Sequence, residues 1–353
     1  MYKNHIKDIT MTKKKKLSRR KFVQAGGSAV AGGGLLLLSG ALLTQRTKRK
    51  KEISSRNSKD ASSDKPYTTN FVSPYQLTSV FEVPDGIFAL ELVGDLLAVA
   101  TEKAINVFDH KGSLQKNIQV DSDIRDLATD GTNLYVLHPA SIDVFDLEGE
   151  NIRSWDACSD LSDYCSMVVV NDVLFVTDAE NKNICKYTTE GGLVKFINSP
   201  NGFIIPSYSF DIVYSNGKLF CSNSGRHMIE SFDLDGNYLG SFGKAGADNG
   251  MFCGCCNPAH LAVSDAGEII TSEKGIPRIS CYSPNGEFRN MLIDTQGLGG
   301  GTVGRDIRMS GERLYLSDNQ SVYVYQSTPG LASNTLCSKC GINNCPIKRN
   351  INV

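Results

Sequence analysis

The amino-acid sequence predicts an all-β protein built as a six-bladed β-propeller that is closed by an N-terminal strand. Six segments between residues 77 and 330 repeat the order of apolar strand, short loop, apolar strand and glycine-containing turn. The closing glycines are at most 50 residues apart, and a regular spacing of this size indicates a repeat architecture. Apolar and polar residues alternate along the strands, and no 3.6-residue period persists.

Each repeat supplies the strands of one propeller blade. The sixth repeat provides only three strands before Gly330, whereas Leu77–Val83 precedes the first repeat as an additional strand. We therefore predict that residues 77–83 complete the sixth blade and join the two ends of the propeller, which protects strand edges from aggregation. A β-sandwich or a pair of small β-domains is the alternative. The closing glycines are Gly112, Gly149, Gly191, Gly236, Gly286 and Gly330.

The fifth repeat resembles the NHL-repeat propellers. The pattern of that family is matched by Gly250–Phe252, Pro258, Leu261–Val263 and the run from Asp265 to Ile270, and the other repeats match it loosely. The resemblance implies an NHL or TolB-like propeller over about residues 77–330. It implies little about function, because NHL propellers include protein- and RNA-binding modules and a few metal-dependent lyases.

The N-terminal segment resembles a twin-arginine (Tat) export signal. Arg19 and Arg20 follow Ser18 and precede Phe22, and an apolar run from Ala25 to Leu43 comes next. The resemblance implies the Tat export machinery as a partner and a location in the periplasm or at the outer face of the cytoplasmic membrane. Tat substrates are often exported folded with a cofactor installed. The apolar run has 19 residues, so it could instead remain as a membrane anchor.

Charge and composition divide the chain into four parts. Residues 1–70 carry 17 Lys and Arg against 4 Asp and Glu, whereas the remainder carries 20 against 34. The acidic body argues against a nucleic-acid partner, since phosphates require clustered basic residues. We predict a signal or anchor at 1–43, a disordered basic tether at 44–70, the propeller at 71–330 and a cysteine-containing tail at 331–353.

A cysteine-rich loop interrupts the fifth repeat and is the hypothesised functional site. Cys253, Cys255 and Cys256 occupy an insertion that the topology places on the same face as the mouth of the central channel. Closely spaced thiolates can hold zinc or an iron–sulfur cluster, or they can form disulfides after export. His260 and Glu273 follow on the same face and could add ligands or support them.

The remaining cysteines form a second candidate cluster and several single positions. The tail cluster could hold zinc, a cluster or a disulfide, and it contains Cys337, Cys340 and Cys345. Cys158 and Cys165 flank a loop and could pair with each other. Within predicted strands, cysteine is expected as a small buried apolar residue, and this applies to Cys185, Cys221 and Cys281.

Polar residues also end the second strand of successive blades on the channel face. Such side chains could bind a cation or a polar ligand around the channel, although Asp and Asn commonly bond their own loops instead. They include His138, Asp178, Asn223 and Asp318, besides Glu273.

No catalytic residue can be assigned, because the sequence has no Gly-x-Ser-x-Gly, His-Glu-x-x-His or phosphate-loop motif. The sequence therefore predicts an exported binding or scaffold propeller that takes a protein or small-molecule ligand on the channel face. The alternatives are an iron–sulfur or metal-binding redox protein and a metal-dependent hydrolase or lyase.

Overall fold

The fold was analysed in a computed structural model that describes residues 71–299 and 305–328. Within these ranges, 24 strands form six antiparallel four-stranded sheets, and one 3₁₀ turn spans Ser224–Arg226. Each sheet is one blade. The first strand in sequence lies innermost in five of the blades and outermost in the sixth. The predicted six-bladed propeller is therefore confirmed.

The strands follow the chain from blade to blade, with the innermost strand of each blade named first. The first blade contains β2 (Ala89–Val93), β3 (Leu96–Ala100), β4 (Ala104–Phe108) and β5 (Leu114–Gln119), and the second contains β6 (Asp126–Thr129), β7 (Asn133–His138), β8 (Ser141–Asp146) and β9 (Asn151–Asp156). The third contains β10 (Tyr164–Val170), β11 (Val173–Asp178), β12 (Asn183–Thr188) and β13 (Leu193–Ile197). The fourth contains β14 (Ile212–Ser215), β15 (Lys218–Asn223), β16 (Met228–Asp233) and β17 (Tyr238–Phe242). The fifth contains β18 (His260–Val263), β19 (Ile269–Glu273), β20 (Arg278–Tyr282) and β21 (Phe288–Ile293).

The sixth blade combines both ends of the propeller. It contains β22 (Ile307–Ser310), β23 (Arg313–Ser317) and β24 (Ser321–Ser327), and its outer strand is β1 (Tyr75–Glu82). β1 is antiparallel to β24, with Tyr75 opposite Ser327 and Glu82 opposite Ser321. The predicted closure is confirmed, and the closing strand runs two residues further toward the N-terminus than the apolar pattern indicated.

The core lies between neighbouring blades. Apolar clusters fill each of these interfaces, and one of them joins Val99 of the first blade to Tyr315 and Val322 of the sixth. The aromatic residue near the end of each third strand is buried, as expected for a residue that recurs at the same inward position: Phe108, Phe145, Tyr187, Phe232, Tyr282 and Tyr325.

The closing glycines also have a packing role. Gly236 has a φ of +81°, and a Cβ atom there would come within 2.5 Å of Ile197 in the outer strand of the preceding blade. Gly191 meets Trp155 in the same way, at 2.7 Å. Both the left-handed backbone and the close approach favour glycine at these turns. Because a larger residue would push the neighbouring blade away, the glycine of the turn sets how closely two blades pack.

The described residues contain no helix that is long and apolar enough to cross a membrane. The predicted export signal, including Arg19 and Arg20, the tether, and the tail cysteines Cys337, Cys340 and Cys345 lie outside the described residues.

Candidate functional site

Three aspartates stand at the start of the innermost strand in alternate blades. Asp126, Asp211 and Asp306 occupy equivalent positions in the second, fourth and sixth blades, and each is less than a tenth exposed. In each, one carboxylate oxygen accepts from the next backbone N–H of its own chain segment, at 2.8–2.9 Å.

The other oxygen of each aspartate accepts a backbone N–H from the following blade. The donors are Met167 for Asp126 at 2.9 Å, Leu261 for Asp211 at 2.7 Å and Leu90 for Asp306 at 2.6 Å. Because a buried N–H group that loses its acceptor is costly, these three bonds link the six blades in pairs around the channel.

Arg308 lies against these carboxylates. Its guanidinium is 3.0 Å from Glu91, 3.0 Å from Asp306 and 3.3 Å from Asp126. Burial opposes the charged form, but Asp306, Glu91 and Asp126 raise the pKa of Arg308, so it remains a cation. Three carboxyl groups thus contact this single arginine, and Asp211 adds a weaker electrostatic influence.

Two of these carboxyl groups, Asp126 and Glu91, have a raised pKa. Burial raises the pKa of Asp126 to about 8, with Arg308 opposing that rise and Asp211 and Asp306 adding to it. Burial likewise raises the pKa of Glu91. Removal of a carboxylate from water disfavours its ionised form, and neighbouring like charges add to that effect.

A pocket opens above this cluster and is lined by residues from all six blades. Its cavity volume is about 40 Å³, and it is open to solvent. Its polar side chains include Asp126, Asp211, Asp306 and His260, and Tyr208 lies at its edge. His260 Nδ1 is 3.7 Å from Asp211 Oδ2 and 3.7 Å from Asp306 Oδ1, and its side chain is 36% exposed. The imidazole is therefore an accessible polar group placed between two carboxylates.

The cysteine-rich loop borders the pocket. Cys256 Sγ is 3.1 Å from the hydroxyl of Ser207, which adjoins Tyr208 in the pocket lining. The Sγ atoms of the adjacent residues Cys255 and Cys256 are 3.0 Å apart. Burial opposes ionisation of Cys256, but bonds from Ser207 and Cys255 outweigh it and lower its pKa.

The three cysteines of the loop do not form a three-ligand group among the described residues. The group of three metal-binding side chains that the structure does assemble lies elsewhere and contains Cys158. His260 points to the carboxylates of the channel, so the hypothesised combination of loop thiols with His260 divides into two neighbouring features.

Glu273 makes a buried ion pair. Its Oε2 accepts from Arg278 Nε at 2.8 Å, and both side chains are less than 5% exposed. Arg278 also donates to the carbonyl groups of Asp248 and Met251, which precede the cysteine-rich loop. Glu273 therefore supports the arginine that holds this loop and is not itself open to a ligand.

The other polar residues of the channel face bond within their own blades. His138 contacts the carbonyl group of Asp123 and the carboxylate of Asp143. Asn223 accepts from Ile204 N–H, and Asp318 accepts from the N–H groups of Gln320 and Ser321 in its own turn. Asp178 accepts from two backbone N–H groups, of Asp163 and Asn181.

The channel aspartates were missed in the sequence, although a signal for them exists. At the start of the innermost strand, an Asp followed by Leu or Ile recurs at Asp126, Asp211 and Asp306, that is, in alternate repeats. Alignment of the repeats by their innermost strands would have shown this alternation. The sequence prediction relied instead on the polar residues that end the second strand of each blade.

No protein-family model matches the sequence, and no curated protein matches it. The fold and the channel define a six-bladed β-propeller, and solved structures of propeller proteins resemble it. Virginiamycin B lyase from Staphylococcus aureus is 12% identical, with a TM-score of 0.52, over 72% of this chain and 100% of that one.

Two further structures are similar to the same part of the chain. A protein of unknown function from Bacteroides thetaiotaomicron is 9% identical, with a TM-score of 0.56, over 71% of this chain and 72% of that one. The β-propeller domain of Cps50 (Swd1) from Myceliophteria thermophila is 12% identical, with a TM-score of 0.51, over 72% and 100%. Such low identities show a shared fold and do not transfer an activity.

Proposed function

We propose that this chain is an exported binding module whose ligand enters the channel mouth and presents a positively charged group. The observation that carries the proposal is the pocket lined by all six blades, in which Asp126, Asp211 and Asp306 converge. Carboxylates in a partly enclosed cleft concentrate cations, since the low-dielectric walls strengthen their field. Export rests on the twin-arginine resemblance alone.

A small organic ammonium group suits this pocket better than an anion. Carboxyl groups outnumber cations beside the pocket, because Asp126, Asp306 and Glu91 share one buried arginine, Arg308. An ammonium donates several hydrogen bonds and accepts none, which matches carboxylate oxygens. Tyr208, which is exposed and lines the pocket, supplies aromatic surface for the apolar part of such a ligand.

The cysteine-rich loop forms the second part of the proposed site. Cys256 contacts Ser207 beside the pocket lining, and Ala259 and His260 of the lining follow it closely in sequence. We propose that the loop contacts the bound ligand through its free thiols. Replacing Cys253, Cys255 and Cys256 with Ser should then change ligand affinity while the propeller stays folded.

Three probes with one carbon skeleton test the charge preference. Butylammonium, butanol and butyrate would be titrated into the protein by calorimetry, with His260→Lys as the site variant. The exposed His110, on the turn of the opposite face, provides the matched control His110→Lys. We expect butylammonium alone to bind the parent and the control, and binding to be lost in His260→Lys. Equal responses to all three probes, or no loss in His260→Lys, would refute the proposal.

An acid–base enzyme is the second candidate, and the placement of His260 favours it. An accessible imidazole beside two carboxylates in a pocket is an arrangement that general acid–base catalysis uses. The similar fold of virginiamycin B lyase is compatible with an enzyme but does not establish one. This candidate predicts that His260→Gln abolishes turnover of a bound ligand while binding persists, whereas the binding module predicts no turnover in the parent.

A further inference from the structure

A second polar cluster lies between the second and third blades, away from the channel aspartates. Cys158 follows β9, Asp178 ends β11 and Cys185 lies in β12. One ligand atom from each side chain lies within 4.8 Å of the others. The Sγ atoms of Cys158 and Cys185 are 3.7 Å apart, whereas Cys165, the partner suggested by sequence spacing, directs its thiol to the carbonyl group of Asp163.

We propose that Cys158, Asp178 and Cys185 bind a thiophilic divalent cation of the zinc class. Two thiolates on one tetrahedral zinc, with zinc–sulfur bonds of about 2.3 Å, stand about 3.8 Å apart. The observed separation of 3.7 Å matches that spacing. It is far from the bond of about 2.05 Å that a disulfide requires.

The carboxylate of Asp178 supplies an independent reason for a cation. Its side chain is completely buried, and no ion pair joins it to an Arg, Lys or His among the residues described. Its hydrogen-bond donors are neutral: the N–H groups of Asp163 and Asn181 and the side-chain amide of Asn181. A buried carboxylate is costly unless it is paired or coordinates a metal. The neutral donors fix its orientation, as groups around a metal site commonly do.

Metal binding requires both cysteines as thiolates, so the cation displaces the protons of Cys158 and Cys185 into solvent. No electron transfer is involved.

The site offers three protein ligands and leaves one position of a tetrahedral ion for another oxygen. Ser162 Oγ is 4.0 Å from Cys158 Sγ, and Cys158 itself is half-buried, so solvent can approach from the loop side. Three protein ligands with an open fourth position are typical of zinc sites that exchange a ligand. The cation would also tie the segment after the second blade to the third blade.

The single tryptophan of the chain reports on this cluster. Trp155 precedes Cys158 by three residues, and its ring lies 6.4 Å from that of Tyr187, whose hydroxyl contacts Tyr164. Co²⁺ is the probe of choice, because it replaces zinc, colours strongly when bound by thiolates and quenches nearby fluorescence. Titration of the reduced full chain with Co²⁺ therefore gives two signals, absorption and quenching of Trp155.

The experiment is best done in a background that removes the competing thiols. The loop and tail cysteines would be changed to Ser in that background: Cys253, Cys255, Cys256, Cys337, Cys340 and Cys345. We expect one Co²⁺ per chain, a sulfur-to-cobalt absorption band, quenching of Trp155 and reversal of both signals by Zn²⁺.

Substitutions of the three proposed metal-binding residues decide whether Co²⁺ binds at this site. Cys158→Ser and Asp178→Asn should each weaken Co²⁺ binding by at least about 10-fold, the lower end of what loss of a supporting group alone costs. Cys165→Ser, the matched control, should bind as the background does. Cys185→Ser is informative if its β-sheet circular dichroism is unchanged; otherwise the half-buried Cys158 carries the test. Absence of both signals in the background, or their persistence in Cys158→Ser, would overturn the proposal.

Discussion

Asp211 provides the sharpest test of the idea that channel carboxylates hold the blades together. Its Oδ1 accepts from Ile212 N–H at 2.8 Å and from the Ser166 hydroxyl at 2.7 Å, and its Oδ2 accepts from Leu261 N–H at 2.7 Å. Replacement by Asn leaves a single acceptor oxygen and turns an amide N–H₂ toward one of the donors. A buried backbone N–H group therefore loses its partner.

The expected loss follows from the cost of one unsatisfied buried donor, about 1–3 kcal/mol. For a domain of this size, each kcal/mol lowers the melting temperature by about 2–4 °C. Asp211→Asn should therefore melt about 2–12 °C below the parent, by the same two principles. Asp211→Ala, which removes all three acceptor contacts, should melt lower still.

Thermal unfolding followed by circular dichroism at one scan rate measures the effect. Asp265→Asn is the matched control, because Asp265 is an exposed carboxylate in the turn after β18, on the opposite face. Surface substitutions of this kind usually stay within about 0.5 kcal/mol of the parent. If Asp211→Asn melts with the control, or if the alanine variant is no less stable than the asparagine variant, the carboxylate does not join the blades.

Three further predictions concern export, closure and pH. Replacing Arg19 and Arg20 with Lys should leave the precursor in the cytoplasm, and fractionation that finds normal export would exclude the twin-arginine route. Deleting residues 71–83 removes β1 from the sixth blade and should lower the melting temperature strongly; an unchanged melt would contradict closure by this strand. Burial raises the pKa of Asp126 from 3.8 to about 8, so its protonated form stabilises the fold most fully below pH 4, and this contribution is lost as the pH rises through 8. The melting temperature of the parent should accordingly fall relative to Asp126→Asn between those pH values, and a difference that does not vary with pH would be inconsistent with the raised pKa.

The candidate site was only partly predictable from the sequence. Cys255 and Cys256 were recognised because an insertion breaks a regular repeat, and the structure places this loop beside the pocket. Glu273 was predicted as a possible metal ligand because it ends a strand on the channel face. The sequence could not show that Arg278, five residues later and in the adjacent strand, would neutralise it.

The second metal-binding hypothesis shows the same limit. Cys158 and Cys185 are 27 residues apart, and Cys185 resembled an ordinary buried strand residue. Their thiols meet only because β12 pairs with β11 while the segment after β9 folds over the third blade. Sequence spacing suggested Cys165 instead, because Cys165 is much nearer to Cys158 along the chain.

The sequence alone determined the repeat, the number of blades and the strand that closes the ring. Those features depend on local periodicity, on glycines that meet the preceding blade and on the count of strands, all of which can be read along the chain. Only the tertiary structure decided which polar side chains converge. Asp126, Asp211 and Asp306 are 85 and 95 residues apart in sequence. They meet at one channel mouth because ring closure brings the innermost strands of all six blades together. The residues near any one aspartate in the sequence do not show which other side chains will lie beside it.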